Sequence, residues 1–294
     1  MLSICIPSYN YDVTPLVSAL VSQANGLKYA VEILIRDDHS KHHKITERSF
    51  PESTISIRSF TNTINIGRTA TRGALAADAH FDHLLFLDAD TIPVDDQFLA
   101  RFEPYFSQDV DVVSGGIAYH KATPAPEYRL RWNFGHAREA RKASQRQHHP
   151  YLIVSGSLWI KKALFISINP REQNAYGLDN LISNRLSAAQ SKVIHIDNPV
   201  YHLGLETNTV FLEKSLKAID TLFESEQGDP SLTKHTRLQQ SYERYRSTGL
   251  MTVFYHGIDP WIPRLKRKAV SAHLSLRAFD FIRLHHYIKR KRNG

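Results

Sequence analysis

The chain has 294 residues, of which 42% are hydrophobic and 22% charged. That is the balance of a globular protein large enough for one substantial core or for a domain with an extension. A single cysteine, Cys5, excludes an intramolecular disulfide framework. The opening MLSICIPSYNYD lacks the basic-then-apolar pattern of a signal peptide, and no run approaches the roughly 18 apolar residues of a membrane span. A cytoplasmic location is the expectation. The formal charge of +8 is unevenly spread: residues 264–294 hold ten Lys or Arg against one acid, Asp280, so the remainder is net −1. This excludes a uniformly basic nucleic-acid binder.

In chain order, LSICIPS reads as an apolar strand stopping at Pro7. Residues 12–27 read as a helix with Leu16, Val17, Leu20 and Val21 on its inner face. Residues 31–36 form a second strand ending in Asp37 and Asp38, and residues 53–60 alternate as a third, half-buried strand. The Ala-rich segment 68–79 reads as a helix, and Leu84, Leu85, Phe86 and Leu87 as a buried strand. A short helix is expected at 98–106 and a strand at 110–114. Alternating strands and helices argue for a mostly parallel sheet covered on both faces.

Beyond residue 115 the pattern loosens. Residues 123–126 hold two prolines and read as loop, and residues 129–149 are basic, His-rich and at best partly helical. Strand character returns at 151–154, is interrupted at Ser155-Gly156-Ser157, and a buried stretch follows at 158–165. Helices are expected at 176–189, 211–225 and 232–247, with a short strand at 193–196.

Asp88 and Asp90 follow the buried strand 84–87 in LLFLDADTIP. Two carboxylates one residue apart at a strand end repel each other and are costly to desolvate. Ligands of open α/β sheets bind beyond the carboxyl ends of the strands. A divalent cation such as magnesium or manganese, which takes oxygen ligands, would relieve the repulsion. The plain alternative is a strand closing in a polar turn.

The segments PSYNYDVTPLVSALVSQ, EILIRDDHS, NIGRTATRGAL and FLDADTIP, in that order, and then GLDNLISNRL and VYHLGLE, resemble a family 2 glycosyltransferase over about residues 3–210. The resemblance implies an α/β chain with the GT-A fold: a Rossmann-like, mostly parallel central sheet flanked by helices. It also implies an inverting transfer from a nucleotide-sugar, with uridine as the typical nucleoside. On that basis residues 1–210 form the catalytic domain, with a nucleotide half at about 1–115 and an acceptor half at about 116–210. Residues 211–294 form a C-terminal helical region.

Carried onto this chain, the resemblance places Pro7 and Tyr9 beside the nucleotide and gives Asp37 the base. Asp38 falls to a cap or to the ribose. Asn65 and Gly67 fit a tight turn, with Arg68 directed to the diphosphate or base and Arg72 either beside it or on a solvated helix face. Gly73 stands where the family usually has Asn. Asp90 binds the metal most directly, while Asp88 contacts ribose or reaches the metal through water. His202 completes the metal site or lies beside the diphosphate, with Glu206 supporting it. Asp179 is the general base, at a helix start that favours its ionised form; a plain helix cap is compatible with that role. Leu178 replaces the family's usual Glu on the acceptor side. Gly156, Ser157 and Trp159 border the acceptor or donor sugar, Trp159 being equally suited to the core. Arg185 steadies the base-bearing helix. Trp132 and His136 lie on a stretch that can act as a lid.

In KRKAVSAHLSLRAFDFIRLHHYIKRKR, Val270, Leu274, Phe281, Leu284 and Ile288 recur at helical spacing between basic clusters, and Leu276, Phe279, Ile282 and Tyr287 widen that apolar face beyond a clean stripe. Three occupants suit such a helix: an anionic membrane surface, the catalytic domain or a protein partner, and, least, a nucleic acid, for which no module is present. The expected partners are therefore a nucleoside-diphosphate sugar, a saccharide or lipid-linked saccharide acceptor, and an anionic membrane surface, with no nucleic acid. A non-catalytic scaffold on the same fold is the rival reading. A nucleotidyltransferase is disfavoured because PSYNYDV is not a Gly-rich, lysine-bearing phosphate loop.

Overall fold

A computed structural model of the chain describes residues 1–45, 50–170, 175–229, 232 and 236–293. Its strands are β1 (Leu2–Ser8), β2 (Val31–Asp37), β3 (Ser56–Thr61), β4 (His83–Leu87), β5 (Thr91–Pro93), β6 (Val112–Ser114), β7 (Ile117–Ala118), β8 (Ser157–Lys161), β9 (Val193–His195) and β10 (Val200–His202). Its α-helices are α1 (Thr14–Ala24), α2 (Arg68–Asp78), α3 (Arg129–Phe134), α4 (Ala143–Gln147), α5 (Lys162–Ile168), α6 (Asp179–Ala188), α7 (Asn208–Gly228), α8 (Arg237–Ser247), α9 (Met251–Ile258), α10 (Ile262–Val270) and α11 (Leu276–Asn293). The chain divides into two compact units, each assembled from three segments. The division does not fall at residue 210: strands β8 to β10 join the first unit, while a segment before them joins the second.

The first unit comprises Met1–Tyr119, Glu139–Asn174 and Arg185–Gly204. Its main sheet has the order β3-β2-β1-β4-β8-β6-β9, with β8 antiparallel to both neighbours and the other pairs parallel. All seven residues of β1 are buried, as expected of a central strand covered on both faces. Leu16, Val17, Leu20 and Val21 of α1 pack into the same core. Each such side chain contributes on the order of 1.5–3 kcal/mol through burial. A second sheet, β5-β10-β7, sits at the end of β4 and sets His202 opposite Thr91.

Most early elements stand where the sequence puts them. Two do not. Residues 151–154 hold no strand, because the chain there turns: the Leu152 amide bonds the His149 carbonyl, and Pro150 O accepts from His195 Nε2 at 2.9 Å. The strand starts later, at Ser157. Residues 129–149 are mostly helical, through α3, a five-residue π turn at Gly135–Glu139, and α4.

The second unit comprises His120–Arg138, Ala175–Asn184 and Leu205–Gly294. Leu130, Phe211, Leu212, Ala269, Phe279 and Ile282 form one apolar core from α3, α7, α10 and α11. Asn208 ties three chain segments to it: Nδ2 donates to Pro126 O (2.9 Å) and Val270 O (3.1 Å), and Oδ1 accepts from Leu130 N (2.8 Å). The helix expected at 232–247 starts at Arg237, behind a Thr236–Gln239 capping box; residues 233–235 lie outside the described residues.

The single C-terminal apolar stripe is corrected. A break at residues 271–275 separates α10 from α11, so Val270, Leu274 and Phe281 do not lie on one helix. Leu284 and Ile288 are buried, whereas Phe281 is exposed. The cations of α11 meet acids of α7: His286 and Arg290 pair with Asp220 (2.9 and 3.3 Å), Arg290 reaches Glu224 (3.6 Å), and Lys291 pairs with Glu226. Most of the apolar face of α11 is therefore internal to this unit. Among the described residues, no helix is long and apolar enough to cross one.

Candidate functional site

Strand β4 ends at Leu87, and residues 88–91 turn tightly. The Thr91 amide and hydroxyl both donate to Asp88 O, at 3.1 and 2.7 Å. The chain then enters β5 against β10, and Leu203 N donates to Asp90 O at 2.8 Å. The turn thus links the two sheets and separates the two carboxylates.

Asp88 faces arginine. Arg72, 2% exposed, donates from Nη2 to Asp88 Oδ1 (2.7 Å) and to Ser155 O (2.8 Å). Arg68 donates from Nη1 to Asp88 Oδ2 (3.1 Å) and from Nη2 to Ser155 Oγ (2.9 Å). Gly156 O accepts from Asp88 N at 3.3 Å. Asp88 thus has a guanidinium on each oxygen. Arg72 is buried here and not on a solvated face.

Asp90 lies beside His202. Burial raises its pKa above the ordinary range; His202 opposes that shift and Asp88 adds to it. His202 Nε2 lies 3.4 Å from Asp90 Oδ2, and its Nδ1 is buried with no hydrogen-bond partner. A β-carbon on Gly204 would stand 2.0 Å from Asp90 Oδ2, so only glycine lets the strand end close around this carboxylate. No group of three or more His, Cys, Asp or Glu among the described residues could hold a metal ion. Two protein ligands nonetheless suit a cation that shares its shell with substrate phosphates. The desolvated carboxylate and the adjacent imidazole, with its unpartnered buried nitrogen, fit such an ion.

The ends of β1 and β2 are joined by a relay. Ser40 donates from its amide to Asp37 Oδ1 at 3.0 Å and also bonds that oxygen through its hydroxyl. Ser40 Oγ accepts from Asn10 N at 2.7 Å, and Asn10 Oδ1 accepts from Lys41 N and His42 N (2.8 and 3.0 Å). Asn10 adopts φ 51°, a left-handed conformation that asparagine tolerates better than most residues. Asp38 accepts from Ile66 N and Gly67 N, both at 2.8 Å, closing the turn before α2, where Gly67 has φ 83°. Asp38 thereby closes that turn, while Asp37, itself buried, ends β2 opposite Ser8 and next to the exposed Tyr9. Ser40, Asn10, Ser155 and Gly204 were not singled out from the sequence. Only Asn10 and Gly204 carried a visible signal, a turn-prone residue directly after a strand.

Other expectations resolve differently. Trp159 is 0% exposed. It sits in mid-β8 opposite Leu85 and Val113 and stacks on His83 at 5.0 Å, so it is core and cannot meet a sugar. Ser157 is likewise buried, at the start of β8. Pro7 is buried in β1, opposite Arg36 of β2. Leu178 is buried too, which explains an apolar residue there and removes it from the acceptor side. Asp179 opens α6 in the second unit. Arg185 donates to Ile168 O at 2.8 Å, pinning the end of α5. Glu206 pairs with Lys214. Trp132 Nε1 donates to His120 O at 2.8 Å, and the His136 ring packs on Trp132 at 4.4 Å.

The model of the family described as "Glycosyl transferase family 2" matches residues 3–165. Staphylococcus aureus TarS 1-349 in complex with UDP-GlcNAc is similar in structure: TM-score 0.54 and 17% identity over 100% of this chain and 92% of that one. The mannosyltransferase PcManGT from Pyrobaculum calidifontis, in complex with GDP-Man and Mn2+, has TM-score 0.52 and 11% identity over 77% of this chain and 64% of that one. At these identities the likeness is one of fold, which is GT-A. No curated protein matches the sequence.

Proposed function

The chain belongs to glycosyl transferase family 2 and is a glycosyltransferase, and from that premise we propose a metal-dependent, inverting transfer. The donor is a nucleoside-diphosphate sugar, with uridine as the nucleoside, and the acceptor is a hydroxyl of a glycan or lipid-linked saccharide. The observation that carries the reading is the turn at Asp88 and Asp90, with Arg68 and Arg72 on one side and His202 on the other. UDP-GlcNAc in TarS, and GDP-Man with Mn2+ in PcManGT, support the same donor class.

In this reading Asp37, held by Ser40, accepts from an N–H of the base. Arg68, anchored on Asp88, presents a guanidinium to the diphosphate. Asp90 and His202 would hold a cation, magnesium or manganese, which when bound would supply charge neutralisation for the departing diphosphate. Asp179 takes the proton of the acceptor hydroxyl as its oxygen bonds to the sugar C1. The C1–oxygen bond to the diphosphate breaks, and its electron pair leaves with the nucleoside diphosphate. The position of Asp179 in the first turn of α6 supports the ionised form a base needs.

A panel of nucleotide-sugars tests this, with donor binding and nucleoside diphosphate release measured for the wild type, Asp90→Ala and Asp179→Asn. One donor binds more tightly with the cation; Asp90→Ala loses that gain; Asp179→Asn keeps it but turns over on the order of a hundredfold or more slowly. Unchanged metal-dependent binding in Asp90→Ala, or unchanged turnover in Asp179→Asn, overturns the corresponding role.

A further inference from the structure

The second unit carries one surface that neither the reaction nor the core accounts for. Positions 250, 253, 257, 261, 264 and 268 recur at intervals of three and four along α9, the Asp259–Trp261 turn and α10, and every one is exposed. Leu250, Val253 and Trp261 are 52%, 70% and 55% exposed. A β-carbon on Gly257 would meet nothing within 4 Å, so the face between them is open. The opposite side of α10 is used up: Ile262, Leu265, Ala269 and Val270 pack into the unit's core.

The apolar row continues into cations. Arg264, Lys266, Arg267 and Lys268 are all exposed, and Arg264 stacks on the Trp261 ring at 5.7 Å. Residues 262–279 contain no acid, and among the described residues none of the four cations has an acidic partner. On α11, by contrast, Arg290 and Lys291 are paired with Asp220, Glu224 and Glu226.

We propose that the α9–α10 face docks on an anionic lipid surface, with Leu250, Val253 and Trp261 entering the headgroup boundary and the α10 cations meeting lipid phosphates. Tryptophan favours that boundary, and basic side chains beside an apolar row are the pattern of an interfacial helix. Each Lys or Arg near an anionic membrane strengthens binding about fivefold. A second copy of the chain suits the face poorly, because a two-fold contact would set acid-free cationic patches against each other. A nucleic acid would use the cations but leave the apolar side chains without a role. The inference stands apart from the transfer reaction.

The test is co-sedimentation of the full chain with vesicles of phosphatidylcholine alone or mixed with phosphatidylglycerol. The wild type sediments with the mixed vesicles and is released by salt. Lys266→Gln/Arg267→Gln/Lys268→Gln lowers that binding on the order of a hundredfold, and Val253→Ser/Trp261→Ser also weakens it, while both variants keep wild-type donor binding. Fluorescence adds a readout that needs no destabilising change: mixed vesicles shift the wild-type emission to the blue, and Trp261→Phe abolishes the shift. The proposal is overturned by no sedimentation with mixed vesicles, by equal sedimentation of the wild type and the triple variant, by an unchanged blue shift in Trp261→Phe, or by a dimer or a DNA complex that uses these same residues without vesicle binding.

Discussion

Arg72 and Asp88 form a charge pair at 2.7 Å, with Arg72 also donating to the Ser155 carbonyl. The pair holds the first carboxylate of the Asp-Ala-Asp turn against the start of β8, so that turn is organised by the protein's own groups. Breaking a buried pair leaves an uncompensated charge, which costs about 3–5 kcal/mol. Arg72→Met should lower the melting temperature on the order of ten degrees at about 2–4 °C per kcal/mol for a large domain. Arg68→Met, whose parent side chain is 43% exposed, should melt near the wild type and instead weaken donor binding. Paired thermal melts and nucleotide titrations separate the two arginines.

Gly204→Ala sets a methyl group 2.0 Å from Asp90 Oδ2. The carboxylate must rotate away, because the Leu203–Asp90 backbone bond holds the neighbouring strand end in place. Transfer should fall at least about tenfold, as misplacement of a site group by an ångström costs about a hundredfold, with far-ultraviolet circular dichroism unchanged. Wild-type turnover would show that Asp90 is not confined by this approach.

Asp90→Asn tests the cation ligand in a nearly isosteric form. The amide keeps the shape of the side chain but removes the charge. Donor affinity with manganese should fall at least on the order of tenfold, while affinity without metal stays level, because the carboxylate supplies the hard oxygen. Equal losses with and without manganese would assign Asp90 to direct nucleotide contact.

His195 gives a pH dependence. Burial lowers its pKa; the bond to Pro150 O opposes this, and Arg146 adds to it. Nδ1 meets Arg146 Nη1 at 2.7 Å, while Nε2 meets Pro150 O at 2.9 Å. A neutral ring protonated at Nε2 satisfies both contacts. The unfolded chain then binds a proton near the ordinary histidine value of about 6.5 that the native state refuses. Stability should therefore fall as pH drops below that value, until the native-state pKa is reached. His83 and His285 are shifted in the same direction, both mainly by burial. The measurement is thus a comparison: urea stability of His195→Gln against pH should have a shallower acid slope than the wild type. Parallel slopes would remove His195 from the dependence.

Leu178→Glu introduces the acid that the family resemblance implies next to Asp179. The Leu178 side chain is buried, and a carboxylate placed there is desolvated. The variant should lose stability, on the order of 1–3 kcal/mol or more, and gain no transfer activity. Faster transfer at unchanged stability would show that the acceptor side tolerates the family's acid.

Much of the catalytic fold was legible in the sequence, for a physical reason. A strand buried on both faces needs an unbroken apolar run, as LSICIPS and HLLFL show, and the carboxylates that end such runs stand out by contrast. The turn at Asp88 and Asp90 and the helix start at Asp179 follow from neighbours in sequence, whereas Asp38 closes a turn 28 residues further on. What local pattern cannot express is competition between distant partners. Nothing near Trp159 says that His83 will cover it, and nothing near Arg72 says that Asp88 and Ser155 will bury it. The C-terminal stripe misled because composition does not reveal which cations acids elsewhere will neutralise. Asp220, Glu224 and Glu226 of α7 pair with Arg290 and Lys291 of α11, whereas the cations of α10 have no acidic partner among the described residues. Sequence determined which segments must be inside and where carboxylates gather at strand ends. Tertiary structure decided which charges are paired, because pairing depends on distances between side chains far apart along the chain. That decision held Asp88 between Arg68 and Arg72, set Asp90 beside His202, and paired Arg290 and Lys291 of α11 while leaving the α10 cations without acidic partners among the described residues.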